Sequence, residues 1–333
     1  MVFTEERLES IFAPMRRTFI AVIGDVMLDR YIWGNVSRIS PEAPVPVVDV
    51  VRESSNLGGA ANVALNVHSL GAVPVLIGTI GDDVNGRELM GIFERENIMT
   101  DFLVVDGARP TTVKTRVIAG SQHVVRIDHE QRHPVSERSR LLMLDKLEEH
   151  IGSIEGVILQ DYDKGVIGPE LIEGIMRLTR PRGIPVFVDP KFQHFLAYRG
   201  VTVFKPNRKE TEDGLGVRLT DDESIVAAAR TLREKLDCEH VLITLGERGM
   251  LLLERDGSVV RIPTRARKVA DVSGAGDTVI ATLAAAMTCG ATVVEAAHLA
   301  NLAGGLVCEE VGVVPVQRDL LFEAALGRLG VLD

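Results

Sequence analysis

Short apolar runs alternate with amphipathic segments along most of the chain. The runs at 19–24, 156–160 and 185–188 have the length and β-branched content of buried strands, and each ends near a small or polar residue. The segments that follow such runs repeat apolar residues every three or four positions, which is typical of helices that pack one face on a sheet. This alternation predicts a doubly wound, mainly parallel α/β sheet covered by helices on both faces.

The same pattern places the individual elements. The predicted strands are 19–24, 74–79, 156–160, 185–188, 201–204 and 240–245, followed by a hairpin over 250–262. The predicted helices are one opened by the glycine pair Gly58–Gly59 and stopped by Gly71, and then 86–97, 136–150, 169–178, 221–236, 274–289, 292–307 and 318–329.

Two stretches depart from the pattern and predict a separate small sheet. Three prolines exclude a regular helix from 31–55, and a β-branched run lies within this stretch. Residues 111–118 and 122–128 predict a β-hairpin. We therefore expect one domain over 1–333, with a β-lid made of two insertions at about 30–55 and 102–130. The exposed edges of such a lid favour pairing with a second subunit, which predicts a homodimer.

Composition and charge exclude several classes of protein. The 333 residues are 46% hydrophobic and 25% charged, as in ordinary soluble globular proteins. The net charge of −10 argues against a nucleic-acid partner. The three cysteines form no CxxC pair, so we expect neither a zinc site nor disulfides, but a reducing cytoplasm. Residues 1–17 lack an apolar signal core, and Gly290 interrupts the one long uncharged run, so neither export nor a membrane span is expected.

The segment Asp271–Thr278 (DVSGAGDT) directly precedes a long apolar run. A helix that begins at Gly274 or Ala275 would direct free backbone N–H groups and the positive end of its dipole at a ligand, which makes an anion site. The carboxylate of Asp277 would repel an anion there, unless it serves as the base that deprotonates a nucleophile attacking that anion. The alternative is an ordinary helix start in which the glycines only turn the chain.

Polar and small residues recur where predicted strands end. Because the carboxyl ends of parallel strands meet at one edge of a sheet, such residues outline the rim where a site is built. They are Asp25, Asp161, Asp189, Asn207 and Gly246.

Two further segments fit a nucleotide site. Asn207 and Glu210 are three residues apart and share a helix face, where they would hold Mg²⁺ through water near phosphates. The alternative is a capping box, with asparagine at the N-cap and glutamate at N3. The segment 244–249 (TLGERG) has glycines that permit a close approach of phosphate, and its alternative is a plain loop.

Several familiar motifs are absent from the sequence. There is no GxxxxGK[ST] segment, which excludes a P-loop enzyme, and no GxSxG segment, which argues against a serine hydrolase of that type. Gly274–Gly276 is followed by valine where a dinucleotide fingerprint needs glycine or alanine, so a hydride-transfer enzyme is disfavoured.

Two long signatures resemble those of the ribokinase (PfkB) sugar-kinase family. Gly58–Asn62 (GGAAN), followed by Gly71 and Gly81, is similar to the first signature, and Asp271–Asp277 is similar to the second. They stand in the family's order, with the two nucleotide segments between them. The resemblance implies a ribokinase-like fold, ATP and Mg²⁺ as cofactors, and direct transfer of a phosphoryl group to a sugar. One departure is Thr282, where the family has glycine or alanine, and it affects packing more than chemistry.

The resemblance also implies a role for each matching residue. The base is Asp277, and the donors for the charge on the transferred phosphoryl group are the N–H groups of Gly274, Ala275 and Gly276. The residues near Mg²⁺ are Asn207 and Glu210, those lining ATP are Thr244, Gly246 and Gly249, and those binding sugar hydroxyls are Asp25, Gly58, Gly59 and Asn62.

A narrower resemblance concerns the sugar. The segments Gly24–Asn35, Arg38–Val47 and Asp161–Gly165 are similar to kinases that phosphorylate the 1-hydroxyl of D-glycero-D-manno-heptose 7-phosphate on the route to ADP-heptose and lipopolysaccharide. The chain stops at 333 without an HxGH nucleotidyltransferase motif, so a stand-alone kinase is expected. The further substrate residues are Asp161 and, chosen for the 7-phosphate on charge alone, Arg116, Lys164 and Lys191.

Two rival functions remain at this stage. One is a kinase of the same fold that acts on another sugar or sugar phosphate. The other is a non-catalytic sugar-binding relative, against which the retention of Asp277 and of the Gly274–Gly276 segment argues.

Overall fold

The computed structural model describes residues 3–120, 122–264, 271–310 and 312–328. Its strands are β1 (Phe19–Gly24), β2 (Val26–Ile39), β3 (Pro46–Gly59), β4 (Val73–Ile77), β5 (Thr79–Ile80), β6 (Val104–Val105), β7 (Thr112–Ala119), β8 (Gln122–His129), β9 (Ile154–Gln160), β10 (Val186–Asp189), β11 (Val203–Phe204), β12 (His240–Thr244), β13 (Met250–Leu253) and β14 (Val259–Ile262). Its helices are α1 (Glu5–Met15), α2 (Ala60–Ser69), α3 (Val84–Arg95), α4 (Glu137–His150), α5 (Pro169–Thr179), α6 (Arg208–Leu215), α7 (Asp222–Leu236), α8 (Ala275–Thr288), α9 (Val293–Cys308) and α10 (Arg318–Ala325).

An eight-stranded sheet in the order β14-β13-β12-β11-β10-β9-β1-β4 forms the centre of the protein. The strands from β12 to β4 pair in parallel, whereas β13 and β14 pair antiparallel at one edge. The predicted doubly wound, mainly parallel α/β architecture is therefore confirmed, and so is the hairpin at residues 250–262. The carboxyl ends of the parallel strands face one edge, where the predicted rim of polar residues lies.

Alternate residues of each central strand enter two different apolar cores, as strand geometry requires. On β1, Ile20 and Val22 pack with α1, α2, α3, α8, α9 and α10 on one face of the sheet. Ala21 and Ile23 pack with α4, α5 and α7 on the other face. Burial of both faces explains why these strands read as continuous apolar runs.

A second sheet, called here the lid sheet, has the order β3-β2-β7-β8. Its strand β2 begins at Val26, one residue after β1 ends, and β3 runs to Gly59, directly before α2. Val26 and Gly59 are paired in register, and the N–H group of Ala60 donates to the carbonyl of Asp25 at 3.0 Å. The predicted small sheet is thus present, but it begins earlier and ends later than 30–55, and residues 102–111 lie outside it.

The helix predicted to open at Gly58–Gly59 is present as α2, with Gly59 as its N-cap, although both glycines also form the end of β3. Gly59 has φ 57°, and a Cβ atom there would lie 2.3 Å from the carbonyl oxygen of Asp25, so a side chain would collide. Two other predictions differ from the structure. The strand predicted at 74–79 is divided into β4 and β5. The helix α1 was not predicted, although Thr4 caps it and its apolar residues recur at helical spacing.

Residue 329, at the predicted end of the helix 318–329, and residue 121, in the predicted turn before β8, lie outside the described residues. Among the helices of the described ranges, none is long and apolar enough to cross a membrane.

Candidate active site

Three cavities meet at the first turn of α8. The lid cavity, of about 210 Å³, lies under the lid sheet, and its lining includes Met27, Asp29, Gly59, Lys114, Arg116, Arg126, Tyr162, Gly274 and Asp277. The central cavity, of about 500 Å³, is lined by residues that include Tyr162, Asp189, Lys191, Lys205, Asn207, Glu210, Thr244, Gly246, Gly276 and Asp277. The α9 cavity, of about 550 Å³, is lined by residues that include Thr244, Gly246, Gly249, Val272, Ala275, Gly276, Asn301, Gly304 and Cys308.

The first turn of α8 presents backbone donors to these cavities. Gly274 is the N-cap, with φ 79° and ψ −6°, a left-handed conformation that favours glycine. The first N–H groups of a helix have no partner within the helix. That of Ala275 instead donates to the carbonyl of Val272 at 3.3 Å. Gly276 lies next, in the wall of the central cavity, so its N–H group and the helix dipole favour an anion there.

Asp277 is only 3% exposed and is held by three donors. Asn62 Nδ2 donates to its Oδ2 atom at 2.8 Å, while Tyr162 Oη and Gln160 Nε2 donate to its Oδ1 atom at 2.8 and 3.1 Å. Burial raises the pKa of Asp277 to about 7, with the charge of Asp189 adding to the rise and the hydrogen bonds from Asn62 and Tyr162 opposing it. A carboxyl group with a pKa near neutrality is suited to general acid–base chemistry.

Three cations reach the lid cavity from the lid sheet. Lys114 and Arg116 are two residues apart on β7 and therefore share a face, and Arg126 on β8 is paired in register with Arg116. Arg116 Nη1 also donates to Asp29 Oδ1 at 2.8 Å, and Arg126 forms two 3.0 Å bonds with Asp128. The cavity beside Asp277 thus carries several cations and is suited to an anionic group.

The two other predicted phosphate-binding lysines lie elsewhere. Lys164 is buried and its ammonium group donates to Glu130 at 2.9 Å, outside the residues that line the lid cavity. Lys191 lines the central cavity, where it pairs with Glu210 and lies 5.3 Å from the centroid of the Tyr162 ring. Of the three candidates, the structure brings only Arg116 to the lid cavity.

The central cavity combines two ion pairs near Gly276. Lys205 and Asp189 are paired at 2.9 Å, and both are nearly inaccessible to solvent. Burial lowers the pKa of Lys191, but the negative charges of Asp189 and Glu210 together raise it by more, so the pKa lies above its usual value. A cationic lysine beside an open cavity, as Lys191 is, is suited to phosphate oxygens.

Asn207 and Glu210 form the capping box that was the alternative prediction. Asn207 Oδ1 accepts from the N–H group of Glu210, and Glu210 Oε2 accepts from that of Asn207, both at 2.8 Å. Each of these oxygens retains a lone pair, and both residues line the central cavity. Within the described ranges there is no group of three or more acidic, histidine or cysteine side chains that could hold a metal directly. These oxygens therefore fit Mg²⁺ bound through water, and both predictions for the pair are compatible.

The glycines of the segment 244–249 border the α9 cavity. Gly246 and Gly249 both have positive φ, 61° and 80°, and they bound a short 3₁₀ turn at Gly246–Arg248. On the opposite side, Gly304 and Gly305 of α9 leave that helix surface without side chains. The cavity is therefore bounded by backbone on two sides, which leaves room for a flat ring.

Several predicted sugar-binding residues have other contacts. The buried carboxylate of Asp25 accepts the backbone N–H groups of Tyr162, Lys164 and Val166, at 2.7 to 3.1 Å. Burial raises its pKa, and these three bonds oppose that rise. Asp161 accepts a 2.6 Å bond from Tyr198, and neither aspartate lines one of the three cavities.

The glycine signature lies close to the lid cavity. Gly59 lines it, and a Cβ atom on Gly58 would lie 2.7 Å from Asp29 Oδ2. Asn62, from the same signature, reaches Asp277 instead.

Sequence reasoning missed six residues of the site. They are Asp29, Lys114, Arg126, Gln160, Tyr162 and Lys205. Alternation along the predicted hairpin could have found Lys114, since it shares a strand face with Arg116. Asp29 lies four residues after Asp25, at the end of β1, and Gln160 and Tyr162 flank Asp161, at the end of β9, so the predicted rim passes close to all three residues.

Comparison with known proteins agrees with this geometry. The family described as pfkB family carbohydrate kinase matches residues 17–318. The protein named bifunctional protein HldE from Pelobacter propionicus is 46% identical over 309 residues, which cover 93% of this chain and 63% of that protein. The protein of the same name from Paramagnetospirillum magneticum is 43% identical over 96% of this chain and 64% of its own length. The chain thus spans less than two thirds of these relatives.

Solved structures share the fold at low sequence identity. Arabidopsis thaliana ribokinase complexed with ribose and ATP superposes with a TM-score of 0.74 at 18% identity, over 93% of this chain and 98% of that one. Phosphofructokinase-2 from Escherichia coli in complex with fructose-6-phosphate gives 0.75 at 19% identity, over 94% and 99%. The ribokinase-like α/β fold implied by the two signatures is therefore confirmed.

Proposed function

The chain belongs to the pfkB family of carbohydrate kinases and is an ATP-dependent sugar kinase, and we propose that its acceptor is a phosphorylated sugar, D-glycero-D-manno-heptose 7-phosphate, phosphorylated at the 1-hydroxyl. The observation that supports a phosphorylated acceptor, rather than a neutral sugar, is the set of three cations that line the lid cavity, which are Lys114, Arg116 and Arg126. A neutral sugar would leave them without an anionic partner in the ligand, whereas a phosphate group offers oxygens to several cations at once.

The identity of the sugar rests on resemblance. The segments 24–35, 38–47 and 161–165 are similar to heptose 7-phosphate kinases. The two relatives named HldE, at 43 to 46% identity over the part that this chain covers, support the same assignment. The proposal concerns the kinase reaction alone, and it places that reaction in the cytoplasm.

The proposed mechanism is direct phosphoryl transfer at the junction of the three cavities. Asp277 takes the proton of the acceptor hydroxyl, and its pKa of about 7 means that about half of these carboxyl groups are ionised at neutral pH. The N–H group of Gly276, in the first turn of α8, and the helix dipole stabilise the charge on the transferred group. Lys191 and Lys205 in the central cavity hold the phosphate chain of ATP.

The nucleoside of ATP is assigned to the α9 cavity, between the segment 244–249 and the glycines of α9. Asn207 and Glu210 would hold Mg²⁺ through water, and when bound the ion neutralises charge on the phosphates. In this proposal the acceptor occupies the lid cavity and ATP occupies the central and α9 cavities. All three cavities border the first turn of α8, so the two reacting groups would meet there.

A homodimer is part of the proposal. The lid sheet exposes large apolar side chains, which are Val36, Ile39, Val50, Val51, Val125 and Ile127. An apolar sheet surface with free edges favours contact with a second copy. Light scattering of the purified protein tests this. We expect the mass of a dimer, and a monomer at micromolar concentration would contradict it.

A panel of acceptors tests the function. Purified protein is incubated with ATP, Mg²⁺ and each of heptose 7-phosphate, unphosphorylated heptose, fructose 6-phosphate and ribose, and ADP release is measured. We expect turnover with the heptose 7-phosphate and much weaker turnover with the unphosphorylated heptose. Turnover of another sugar in preference to heptose 7-phosphate would refute the assignment, and absence of turnover with every acceptor would favour a non-catalytic relative.

A further inference from the structure

Tyr162 contacts both Asp25 and Asp277 and lines two of the three cavities. Its backbone N–H group donates to Asp25 Oδ2 at 2.7 Å, and its hydroxyl donates to Asp277 Oδ1 at 2.8 Å. Its side chain lines both the lid cavity and the central cavity. The tyrosine therefore forms part of the wall between the proposed acceptor and the proposed phosphate chain.

The backbone of the loop that contains Tyr162 is held by hydrogen bonds to Asp25. Asp25 accepts backbone N–H groups at positions 162, 164 and 166, so one buried carboxylate sets the path of the whole loop. Asp161 is held in the same loop by the hydroxyl of Tyr198. This arrangement gives Asp25 a purpose other than sugar binding, because it fixes the backbone from which Tyr162 reaches the base.

The hydrogen bonds on Asp277 leave one position open. A carboxylate oxygen has two lone-pair positions. Oδ1 accepts from both Tyr162 and Gln160, whereas Oδ2 accepts only from Asn62 among the described residues. The free position is therefore on Oδ2.

We propose that Tyr162 is a positioning residue for the base: its hydroxyl, with Gln160, occupies Oδ1 of Asp277, so that the acceptor hydroxyl gives its proton to Oδ2. This inference rests on the proposed function of Asp277 as the base. The same hydrogen bond favours the ionised carboxylate and so opposes the rise in pKa that burial causes.

Replacement of Tyr162 by phenylalanine tests the proposal. The substitution removes the hydroxyl and keeps the ring beside Lys191. Asp277 then loses a donor, its pKa rises, and the acid limb of the kcat/KM profile moves to higher pH. At pH 6.5 we expect kcat to fall about 10- to 100-fold, as for loss of a hydrogen bond to a charged group, and the deficit should narrow as the pH rises.

Two further variants separate positioning from general disturbance. Gln160→Met removes the other donor to Oδ1 and should move the acid limb in the same direction. Tyr198→Phe is the matched control, since it removes a buried tyrosine hydroxyl from an aspartate of the same loop without touching Asp277. The charged groups that face Asp277 are the same in all three variants; they are Asp189, Lys191 and Lys205 in the central cavity and Asp29, Lys114, Arg116 and Arg126 in the lid cavity.

A carbon-13 titration of the Asp277 carboxyl group gives the same comparison without turnover. A rise in its pKa in Tyr162→Phe and Gln160→Met, but not in Tyr198→Phe, would support the proposal. An unchanged titration in the first two variants, or an equal shift in the control, would overturn it. Failure of the wild-type protein to phosphorylate any sugar is a separate result, because it would refute the proposed function and leave the titration to decide the role of Tyr162.

Discussion

Asn62 and Asp277 lie 215 positions apart in the sequence, and the Nδ2 atom of Asn62 donates to Asp277 Oδ2 at 2.8 Å. The bond joins α2 to α8, and it brings together the two glycine-containing signatures that first suggested a kinase. The first signature, whose residues the resemblance assigns to sugar binding, therefore also supplies a hydrogen bond to Asp277, the proposed base.

The substitution Asn62→Asp is expected to abolish most activity at neutral pH. A second carboxylate beside Asp277 raises the pKa of the pair, so the base keeps its proton. We expect kcat at pH 7 to fall by roughly 10²–10⁴-fold, the usual contribution of a general base. The control is Asn85→Asp on α3, which adds the same charge at a residue that lines none of the three cavities and contacts Arg30. A similar loss in both variants would contradict a specific role for Asn62.

The substitution Asp277→Asn should bind ATP and the sugar phosphate yet lose nearly all turnover. The amide cannot take a proton from the acceptor, whereas the cavities keep their shape. Calorimetric titration of both ligands and an ADP-release assay check this prediction. Substantial residual turnover in the variant would refute the assignment of the base.

The same variant should become more stable relative to the wild type as the pH rises. Burial raises the pKa of Asp277 to about 7 from its usual 3.8, so between these values the folded protein holds a proton that the unfolded chain releases. Wild-type stability from this group is therefore present at low pH and lost as the pH rises towards 7. The free energy of unfolding of Asp277→Asn, relative to the wild type, should increase by roughly 3 kcal/mol from pH 5 to pH 8. Denaturant titration at both pH values measures it, and an equal difference at both would contradict the shift.

The substitution Arg126→Met should weaken binding of the phosphorylated acceptor specifically. Loss of a charged hydrogen-bond donor in the lid cavity is expected to raise the KM for the sugar phosphate roughly 10- to 100-fold, with the KM for ATP unchanged. Arg38→Met, an exposed arginine of the same lid sheet, is the control. If the unphosphorylated sugar were affected equally, Arg126 would have no role in phosphate recognition.

The substitution Glu210→Gln should raise the Mg²⁺ requirement. A carboxylate that holds the ion through water contributes about 10- to 100-fold to metal affinity. Activity is measured against Mg²⁺ concentration at fixed ATP. Asp221→Asn alters the corresponding capping box of α7, away from the cavities, and should leave the requirement unchanged. The same requirement in Glu210→Gln and the wild type would exclude the metal role and leave the capping box alone.

Two alanine substitutions in the segment 244–249 should differ sharply. A Cβ atom on Gly249 would lie 2.0 Å from the carbonyl of Ile262, whereas one on Gly246 meets nothing within 4 Å. Gly246→Ala should cost only the left-handed backbone penalty, about 1–2 kcal/mol. Gly249→Ala should destabilise further and raise the KM for ATP, because the wall of the α9 cavity must move. Thermal unfolding and ATP kinetics of the pair test this, and equal behaviour would contradict it.

The fold could be predicted from the sequence because periodicity reports burial directly. Continuous apolar runs such as β1 and β9 are buried on both faces, and the helices between them carry one apolar face. Boundaries were less accurate where backbone pairing decides the structure. Gly58 and Gly59 open α2 as predicted, but they also pair with Met27 and Val26 of β2 and so form the end of β3.

The site could be predicted only where a contact is encoded locally. The proposed base Asp277 and the proposed donor at Gly276 follow from one continuous segment, whereas the N–H group of Ala275, which the same segment predicts as a donor, is bonded to the carbonyl of Val272. The cations could not be chosen by charge alone, because charge does not tell which cavity a side chain lines: Arg116 lines the lid cavity, whereas Lys191 lines the central cavity and Lys164 lines neither. The role of Tyr162 depends on a side chain 115 positions away, and no spacing rule connects the two.

The lid sheet has a mechanical property that follows from its attachment at Val26 and Gly59. Both strands β2 and β3 are 14 residues long and are attached at the same end, where Val26 and Gly59 are paired. Any bending of the two strands about this pair would displace Asp29, three residues away from it, less than the exposed valines at the far end. In the proposed homodimer, a contact at the far end would therefore limit the position of the lid cavity through these two strands.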